Sequence, residues 1–382
     1  MIDFPKGFKG SGVTAGLKAS GKSDLALIVN EGPDKNAAAV FTKNQFKAAP
    51  VIWSQQVIKD GSISAVLLNS GGANACTGPE GFADSHRCAE EVAEKLALSS
   101  SDVFICSTGL IGERLPMDVM LQGIAKSVEK LTTGSIESAA RAIMTTDSVP
   151  KQAVYHGDGW SIVGMAKGAG MLAPSLATML VVIMTDAKLE SSKIDSLLRE
   201  ATYQTFDRID SDGCMSTNDT VLLMSSGASG VIPDSKEFSD ALVEVCGQLA
   251  HALIADAEGH TKIVKIVVTG ADSESDAIEA AKSVARNNLL KCAINGEDPN
   301  WGRILAAVGT TAIRLDPSNV DVAINGVWVC RSSSPGESRD LVKMQDKEVE
   351  IIIDLKVGHE SATVWSNDLS AMYVHENSAY ST

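Results

Sequence analysis

The stretch AKGAGMLAPSLATMLVVIMTDA, residues 166–187, changes character abruptly at Thr178. Glycines, a proline and small residues precede Thr178, and a strand-like apolar run extends from Met179 to Met184. Glycine and proline are typical of turns, whereas β-branched and other bulky apolar residues are typical of buried strands. The stretch therefore predicts a bend followed by a strand, with a hydroxyl residue at the junction.

Strand-like and helix-like patterns are mixed along the rest of the chain. Apolar residues at spacings of three and four predict amphipathic helices within 86–98, 194–201 and 238–253. Because the helices and strands are interspersed, the sequence predicts an α/β or α+β fold. The predicted strands, short apolar runs between turn residues, cover 24–30, 37–42, 63–69, 103–107, 178–185, 220–226, 262–270, 320–326 and 349–357.

Composition excludes several classes of function. The chain has 382 residues and a formal net charge of −15, so it would repel nucleic acid and anionic membranes. Seven cysteines without a CxxC pair, and six histidines without HxH or HExxH spacing, predict neither a disulfide framework nor a metal site. No signal peptide or membrane-spanning run is apparent. We expect a cytoplasmic protein with no cofactor and no metal.

Residues 16–23, GLKASGKS, match the phosphate-loop pattern GxxxxGK[ST]. A phosphate loop follows a buried strand and opens a helix, whose N-terminus favours the phosphate. Here the preceding GFKGSGVTA lacks a buried-strand pattern, and DLALIVN at 24–30 predicts a strand rather than a helix. We therefore favour a glycine-rich hairpin turn, with a non-catalytic nucleotide-binding protein as a rival interpretation.

The junction at Thr178 resembles the cleavage and nucleophile signature of the ornithine acetyltransferase family. The matching residues are KGAGM at 167–171, Pro174 and ATML at 177–180. Six further blocks resemble the family in the same order along nearly the whole chain. They are STGLIGERLPM (107–117), AIMTTDSVPK (142–151), STNDT (216–220), DAEGHTKIVKIVVTGA (256–271), NGEDPNWGR (295–303) and ENSAYST (376–382).

The resemblance implies a fold layered helix-sheet-sheet-helix, similar to the N-terminal-nucleophile hydrolases but with different connectivity, and a smaller C-terminal α/β lobe. It also implies that the precursor cuts itself between Ala177 and Thr178. The products would be an alpha chain, 1–177, and a beta chain, 178–382, that assemble as a heterotetramer with two copies of each.

The implied reaction is ping-pong transfer of an acetyl group from N-acetylornithine to glutamate through acetyl-Thr178. A threonine hydroxyl is a poor nucleophile near neutral pH, but cleavage frees an α-amine with a pKa of about 7.7–8.0 that can serve as its base. The resemblance assigns the oxyanion hole to the Thr108 hydroxyl and the Gly109 backbone N–H. Both residues follow a predicted strand, where a turn can present donors to a pocket.

The resemblance also implies a set of substrate-binding residues. Lys167 suits a substrate carboxylate, and Glu258 suits a substrate ammonium or positions the reacting amine. Adjacent threonines leave the choice between Thr145 and Thr146 open. Acetyl-CoA as a second donor is also open, as is a related self-cleaving amidase or aminopeptidase that uses water as acceptor. The implied substrate-binding residues are Thr145, Lys167, Thr178, Glu258, Asn377 and Thr382.

Overall fold

The computed structural model of the protein describes residues 1–172 and 179–379, which form two compact units. The first unit contains residues 1–169, 179–207 and 215–253, and the second contains residues 170–172, 208–214 and 254–379. Thr178, Ala177 and Thr382 therefore lie outside the described residues. Both units mix helices and strands, so the α/β prediction is confirmed.

The first unit contains two sheets. Their strands are β1 (Phe8–Val13), β2 (Leu25–Asn30), β3 (Ala37–Phe41), β4 (Ala65–Asn69), β5 (Val103–Ser107), β6 (Lys151–His156), β7 (Ser161–Lys167), β8 (Leu180–Thr185) and β9 (Thr220–Ser225). One sheet has the order β1-β2-β4-β5, and the other has the order β3-β9-β8-β7-β6.

The helices of this unit begin and end as follows: α1 (Ala49–Val57), α2 (Gly78–Leu96), α3 (Met117–Glu129), α4 (Glu137–Ala142), α5 (Ser191–Gln204) and α6 (Ser235–Ala255), with short 3₁₀ helices at Ile58–Asp60, Ser100–Asp102 and Phe206–Arg208.

Side-chain alternation along β7 shows how the layers stack. Val163 and Met165 join a core shared with the first sheet, because successive strand residues point to opposite faces. Gly164 faces the other way, where a Cβ would lie 2.8 Å from Leu249 Cδ1 of α6. Every residue of β2, β4 and β5 is buried, and α2 and α3 contact β5 and β2. The unit is layered helix-sheet-sheet-helix, which confirms the prediction.

The second unit is a smaller α/β lobe, as predicted. Its strands have the sheet order β13-β12-β11-β14-β10-β15. Helix α7 packs on β10 and β15, and Val349, Ile351 and Ile353 alternate toward the core along β14. The bounds are β10 (Ile263–Ala271), β11 (Asp321–Ile324), β12 (Val327–Arg331), β13 (Ser334–Pro335), β14 (Glu348–Asp354) and β15 (Glu360–Asn367), with α7 (Glu274–Ala285), α8 (Asn288–Asn295), α9 (Trp301–Val308), α10 (Ala371–Ala379) and a 3₁₀ helix at Arg339–Leu341.

The apolar run that follows Thr178 is a buried strand, as predicted. This strand, β8, is antiparallel to β7 in a register that places Lys167 opposite Leu180. The chain therefore leaves β7 and enters β8 at the same end of the sheet. The predicted bend between them includes residues 173–178, which lie outside the described residues.

One expectation from the sequence was wrong. Residues before the GLKASGKS segment do form a strand, β1, although two of its six residues are glycines. One of them, Gly12, packs so closely that a Cβ would lie 1.8 Å from the Ser138 carbonyl oxygen.

Among the described residues, α6 is long and apolar enough to cross a membrane by length and composition alone. Half of its apolar window is buried, and Val245 and Leu249 pack toward β7.

Candidate active site

A buried lysine, itself a predicted site residue, contacts two other predicted site residues. Lys167 is the last residue of β7, and it is 1% exposed. Its Nζ donates a hydrogen bond to Thr145 Oγ1 over 2.7 Å and to Thr108 Oγ1 over 3.3 Å. A buried ammonium needs such acceptors because losing hydration is costly. The three residues form a cluster of two hydroxyls around one positive charge, which we call the hydroxyl-lysine cluster.

Asp147, which the sequence did not single out, holds this cluster in place. Its carboxylate is buried, with Oδ1 2.6 Å from Lys151 Nζ and Oδ2 4.0 Å from Lys167 Nζ. It also accepts the backbone N–H groups of Gly168 (2.7 Å) and Thr145 (2.9 Å). Burial opposes ionisation, but the attraction of Lys167 and Lys151 outweighs it and lowers the pKa of Asp147 to about 2. Asp147 is therefore the anionic counterpart of both lysines.

Thr108 and Gly109 form a turn directly after β5. The Thr108 N–H donates to the Asn69 carbonyl, and Thr108 pairs with Gly72 in an isolated bridge. Gly109 has φ +138°, and a Cβ there would lie 2.8 Å from the Gly72 backbone. This close approach requires glycine. The structure thus places Thr108 beside Lys167, while the oxyanion role of both turn residues stays a prediction.

The STNDT block lies next to the start of β8. Asn218 Nδ2 donates to the carbonyls of Ala73 (2.7 Å) and Ser107 (2.8 Å), which ties the block to the turn after β5. Asp219 Oδ1 accepts the N–H of Met179, the residue that follows Thr178. Burial raises the pKa of Asp219 well above its ordinary value, and its Oδ2 has no hydrogen-bond partner among the described residues. The STNDT block contains Asp219, but the sequence alone does not reveal its contact with Met179.

The two adjacent threonines differ in their environments. Thr145 is half-buried and accepts the hydrogen bond from Lys167, whereas Thr146 is exposed. This difference favours Thr145 as the substrate-binding residue.

Glu258 lines a cavity in the second unit. The cavity measures about 220 Å³, and its walls include Asp212, Lys291 and Tyr373. A Cβ at Gly170 would lie 2.6 Å from the Glu258 carboxylate, so glycine leaves room for that side chain. A cavity of this size suits a small ligand such as an amino acid.

The cavity is electrostatically unusual. Burial raises the pKa of Asp212, and burial together with Asp212 and Glu258 raises the pKa of Tyr373 to about 12. Burial also lowers the pKa of Lys291 to about 8, although Asp210 and Asp212 oppose this. The Lys291 ammonium donates to the carbonyls of Ser211 and Asn367 and to Ser366 Oγ. Its donors are therefore used internally, whereas Asp212, Glu258 and Asp368 supply carboxyl groups to the cavity and Arg286 supplies a guanidinium.

Asn377 is not among the residues that line this cavity. Asn377 lies on α10 with an exposed side chain, and its Nδ2 donates to the Tyr373 carbonyl one turn earlier. Thr178 and Thr382 lie outside the described residues, so their substrate-binding roles stay predictions.

The segment that matches the phosphate-loop pattern is a hairpin loop, as predicted, because β1 and β2 pair from Val13 and Leu25. The Asp24 carboxylate accepts the N–H groups of Ala15, Gly16, Leu17 and Lys18 at 2.6–3.1 Å. In a phosphate loop, backbone N–H groups of this kind bind the phosphate. Here the chain's own carboxylate occupies that position, which explains how the pattern occurs without a phosphate loop.

The hydroxyl-lysine cluster suits an enzyme that transfers an acyl group, because hydroxyl and cationic donors can stabilise an oxyanion. In the parts of the chain that the structure describes, no group of three metal-ligating residues could hold a metal ion.

Comparison with known proteins identifies the family. The model of the ArgJ family matches residues 9–382. The arginine biosynthesis bifunctional proteins ArgJ of Streptomyces avermitilis and Mycobacterium tuberculosis are 59% and 54% identical to this chain. Each alignment covers 100% of this chain, with 100% and 96% of the respective relative. The chain belongs to the ArgJ family.

Two solved structures are similar over about half of the chain. Ornithine acetyltransferase from Mycobacterium tuberculosis, complexed with ornithine, is 56% identical over 46% of this chain and 94% of that chain, with a TM-score of 0.44. The arginine biosynthesis bifunctional protein ArgJ from Bacillus halodurans is 34% identical over 51% of this chain and 96% of that chain, with a TM-score of 0.49.

Proposed function

We propose that the chain transfers an acetyl group from N-acetylornithine to glutamate, releasing ornithine and forming N-acetylglutamate. Family membership supports an acyltransferase of arginine biosynthesis. The structural observation that carries the proposal is the hydroxyl-lysine cluster, because Lys167 brings Thr108 and Thr145 together at the end of the strand that leads to Thr178.

The proposed first half-reaction uses Thr178 as nucleophile. Its hydroxyl attacks the acetyl carbonyl, and the free α-amine of the same residue takes the hydroxyl proton. The Thr108 hydroxyl and the Gly109 N–H stabilise the oxyanion. Collapse of this intermediate breaks the amide C–N bond, and the proton passes to the departing amine of ornithine. In the second half-reaction the neutral amine of glutamate attacks acetyl-Thr178 and restores the hydroxyl.

The substrate contacts follow from charge. Lys167 is proposed to bind the carboxylate of the amino acid substrate. Thr145 accepts a hydrogen bond from the Lys167 ammonium and so fixes the position of that lysine side chain. Glu258 is proposed to bind the substrate ammonium, with Asn377 and Thr382 completing the substrate-binding set.

Self-cleavage between Ala177 and Thr178 is part of the proposal because it creates the α-amine base. The products would be chains of residues 1–177 and 178–382, assembled as a cytoplasmic heterotetramer with two copies of each. Acetyl-CoA is proposed as a second acetyl donor.

Intact mass under denaturing conditions, combined with an exchange assay, tests the proposal. We expect two fragments meeting at Ala177 and Thr178, and an acetyl adduct on the 178–382 fragment after brief exposure to N-acetylornithine. Thr178→Ala should remain one inactive chain, whereas the control Thr146→Ala should be cleaved. A single uncleaved chain with normal exchange activity would refute the mechanism. Release of free acetate at the same rate with and without glutamate would indicate the rival amidase.

A further inference from the structure

A second cavity, which lies in the first unit, shares Thr145 with the proposed substrate-binding set, but its cationic lining residues have no part in the proposed reaction. It measures about 710 Å³ and is lined by the 14–23 loop and by residues 141–148. Three cationic side chains, Lys18, Lys22 and Arg141, line it together with the hydroxyls of Ser20 and Ser23. Its volume lies within the range of small-molecule sites. We call it the basic cavity.

The basic cavity is cationic in a protein with a net charge of −15. Asp147 is the acidic residue in its lining, and the buried ion pair with Lys151 already neutralises that carboxylate. Arg141 also pairs with Glu137 along helix α4, but exposed pairs of this type are weak and easily exchanged. The cavity therefore favours an anion.

Lys18 is held with its ammonium partly unused. Its Nζ donates to the carbonyls of Ser23 (3.0 Å) and Met144 (2.6 Å), so within the described residues one of its three N–H donors remains. Burial lowers its pKa to about 8; Asp24 opposes this, while Lys167 and Lys22 contribute to it. An anion in the cavity would relieve the repulsion among these ammonium groups.

The groups that can contact a ligand are those of the 14–23 loop that make no hydrogen bond to Asp24. The backbone N–H groups of 15–18 are bound to Asp24, so the side chains must supply the contacts. Separate ammonium and guanidinium groups with neighbouring hydroxyls suit an anion with several charged oxygens, such as phosphate, which both Arg and Lys recognise. A diphosphate can contact more than one of the cations at once.

We propose that the basic cavity binds the diphosphate group of a nucleotide-type ligand. Thr145 lines the same cavity and contacts Lys167 of the hydroxyl-lysine cluster. If the ligand is a nucleotide-derived acyl carrier, that adjacency makes the cavity part of the donor site, and this version rests on the proposed function. A free nucleotide would use the same contacts without donating an acyl group.

Calorimetric titration at low salt tests the binding, with CoA, ADP and inorganic pyrophosphate as separate probes. Lys22→Gln removes an exposed cation from the loop, and Lys59→Gln is a matched control, since Lys59 is exposed and outside the cavity lining. We expect Lys22→Gln to weaken binding at least tenfold and Lys59→Gln to leave it unchanged. Arg141→Gln should weaken it similarly, and added salt should weaken it in the wild type.

The probes separate the possible sources of the diphosphate. Tighter binding of CoA than of ADP supports an acyl carrier, and equal binding of the two supports a free nucleotide. Binding of pyrophosphate alone would overturn the nucleotide part of the proposal. Failure of all three to bind at 1 mM, or equal affinities in Lys22→Gln and wild type, would overturn the proposal entirely.

Exchange between N-acetylornithine and glutamate involves no phosphate and provides an independent readout. Lys22→Gln should retain wild-type exchange, whereas its KM for acetyl-CoA as donor should rise about tenfold if CoA is the preferred probe. Wild-type protein without exchange activity would refute the proposed function but leave the titration result intact, so the two failures are distinguishable.

Discussion

At the scale of single residues, the central feature is a pair of buried lysines that share one carboxylate. Lys151 and Lys167 are both almost fully buried, and the Asp147 carboxylate lies near both ammonium groups and supplies their shared negative charge. Removing one member of a buried ionic group leaves its partners desolvated and unpaired, which costs more than the net stabilisation from the intact group. Asp147 should therefore influence stability and activity together.

Asp147→Asn should destabilise the protein by about 3–5 kcal/mol at neutral pH, because both lysines lose their buried countercharge. Urea unfolding at pH 7 measures the change. The control Asp195→Asn removes a carboxylate whose ion pair with Arg199 is exposed, and it should cost less than about 1 kcal/mol. Equal costs for the two variants would contradict the assigned role of Asp147.

The same carboxylate predicts a pH dependence. Its pKa in the folded protein is about 2, below the ordinary 3.8, so folding favours the ionised form. Its contribution is complete above about pH 4 and is lost as the pH falls toward 2, and it amounts to about 2 kcal/mol. The difference in free energy of unfolding between wild type and Asp147→Asn should therefore shrink by about 2 kcal/mol as the pH falls from 4 to 2. A constant difference across that interval would argue against the lowered pKa.

Gly109→Ala tests the turn after β5. The added Cβ would meet the Gly72 backbone at 2.8 Å and displace the Gly109 N–H, so kcat should fall about 10²–10³-fold. Gly112→Ala is the control, because Gly112 has φ +90° but open space around its Cβ position. That variant should show backbone strain of about 1–2 kcal/mol in unfolding experiments and little change in kcat. A similar loss of kcat in both variants would indicate general strain rather than a lost donor.

Residues of the site differ in how far sequence could identify them. Thr108, Thr145 and Lys167 lie in motifs that resemble a known family, and the structure brings these three together. Asp147 lies in one of the same motifs, but its importance arises from pairing with residues 4 and 20 positions away, which no local pattern reveals. Asp219 depends similarly on the approach of Met179, which lies 40 positions away in the sequence, directly before β8.

At the scale of elements, β7 and β8 form the part of the fold on which the site depends. Continuous apolar runs such as β8 were predicted because a strand that is buried on both faces needs apolar residues at every position. In the first unit, strands β1, β6 and β7 were not predicted, since glycines or polar residues interrupt their patterns; in the second unit, β12, β13 and β15 were not predicted either. At Gly12 and Gly164 another element packs directly against the strand backbone, which leaves no room for a side chain. Such packing depends on the tertiary structure and cannot be inferred from the local sequence.

Gly164→Ala tests the packing of α6 on β7. The new methyl group would lie 2.8 Å from Leu249 Cδ1 and 3.2 Å from Val245 Cγ1, so we expect a loss of about 1–3 kcal/mol. Leu249→Ala alone should cost about 2–5 kcal/mol by leaving a cavity. The double variant should lose less than the sum by at least about 0.5 kcal/mol, because the methyl group enters the vacated space. Strict additivity would contradict the direct contact.

At the scale of the whole molecule, the proposed cleavage site does not follow the division into compact units. The sheet β3-β9-β8-β7-β6 takes three strands from residues before 177 and two from residues after 178. The core between the two sheets likewise includes residues from both parts of the chain, such as Met165 and Leu180. Family resemblance suggested that the chains stay together, and the sheet order supplies a physical reason.

The cleaved protein should therefore elute from a sizing column under native conditions as one species that contains both fragments in equal amounts. Six residue pairs join β7 to β8, and further pairs join β3 to β9, so separation requires the sheet to unfold. Urea at concentrations that unfold the protein should release the fragments. Uncleaved Thr178→Ala should elute at the native position of wild type, and native separation of wild-type fragments would contradict the predicted association.

The register that places Lys167 opposite Leu180 has a consequence for the gene as well as for the protein. The backbone pairing of the two strands does not require a covalent link between them, although such a link lowers the entropic cost of bringing them together. A coding sequence divided at codon 178 could then be translated as two polypeptides that find each other through this sheet. After removal of the initiator methionine, the second polypeptide would carry the free α-amine of Thr178 without the proposed self-cleavage.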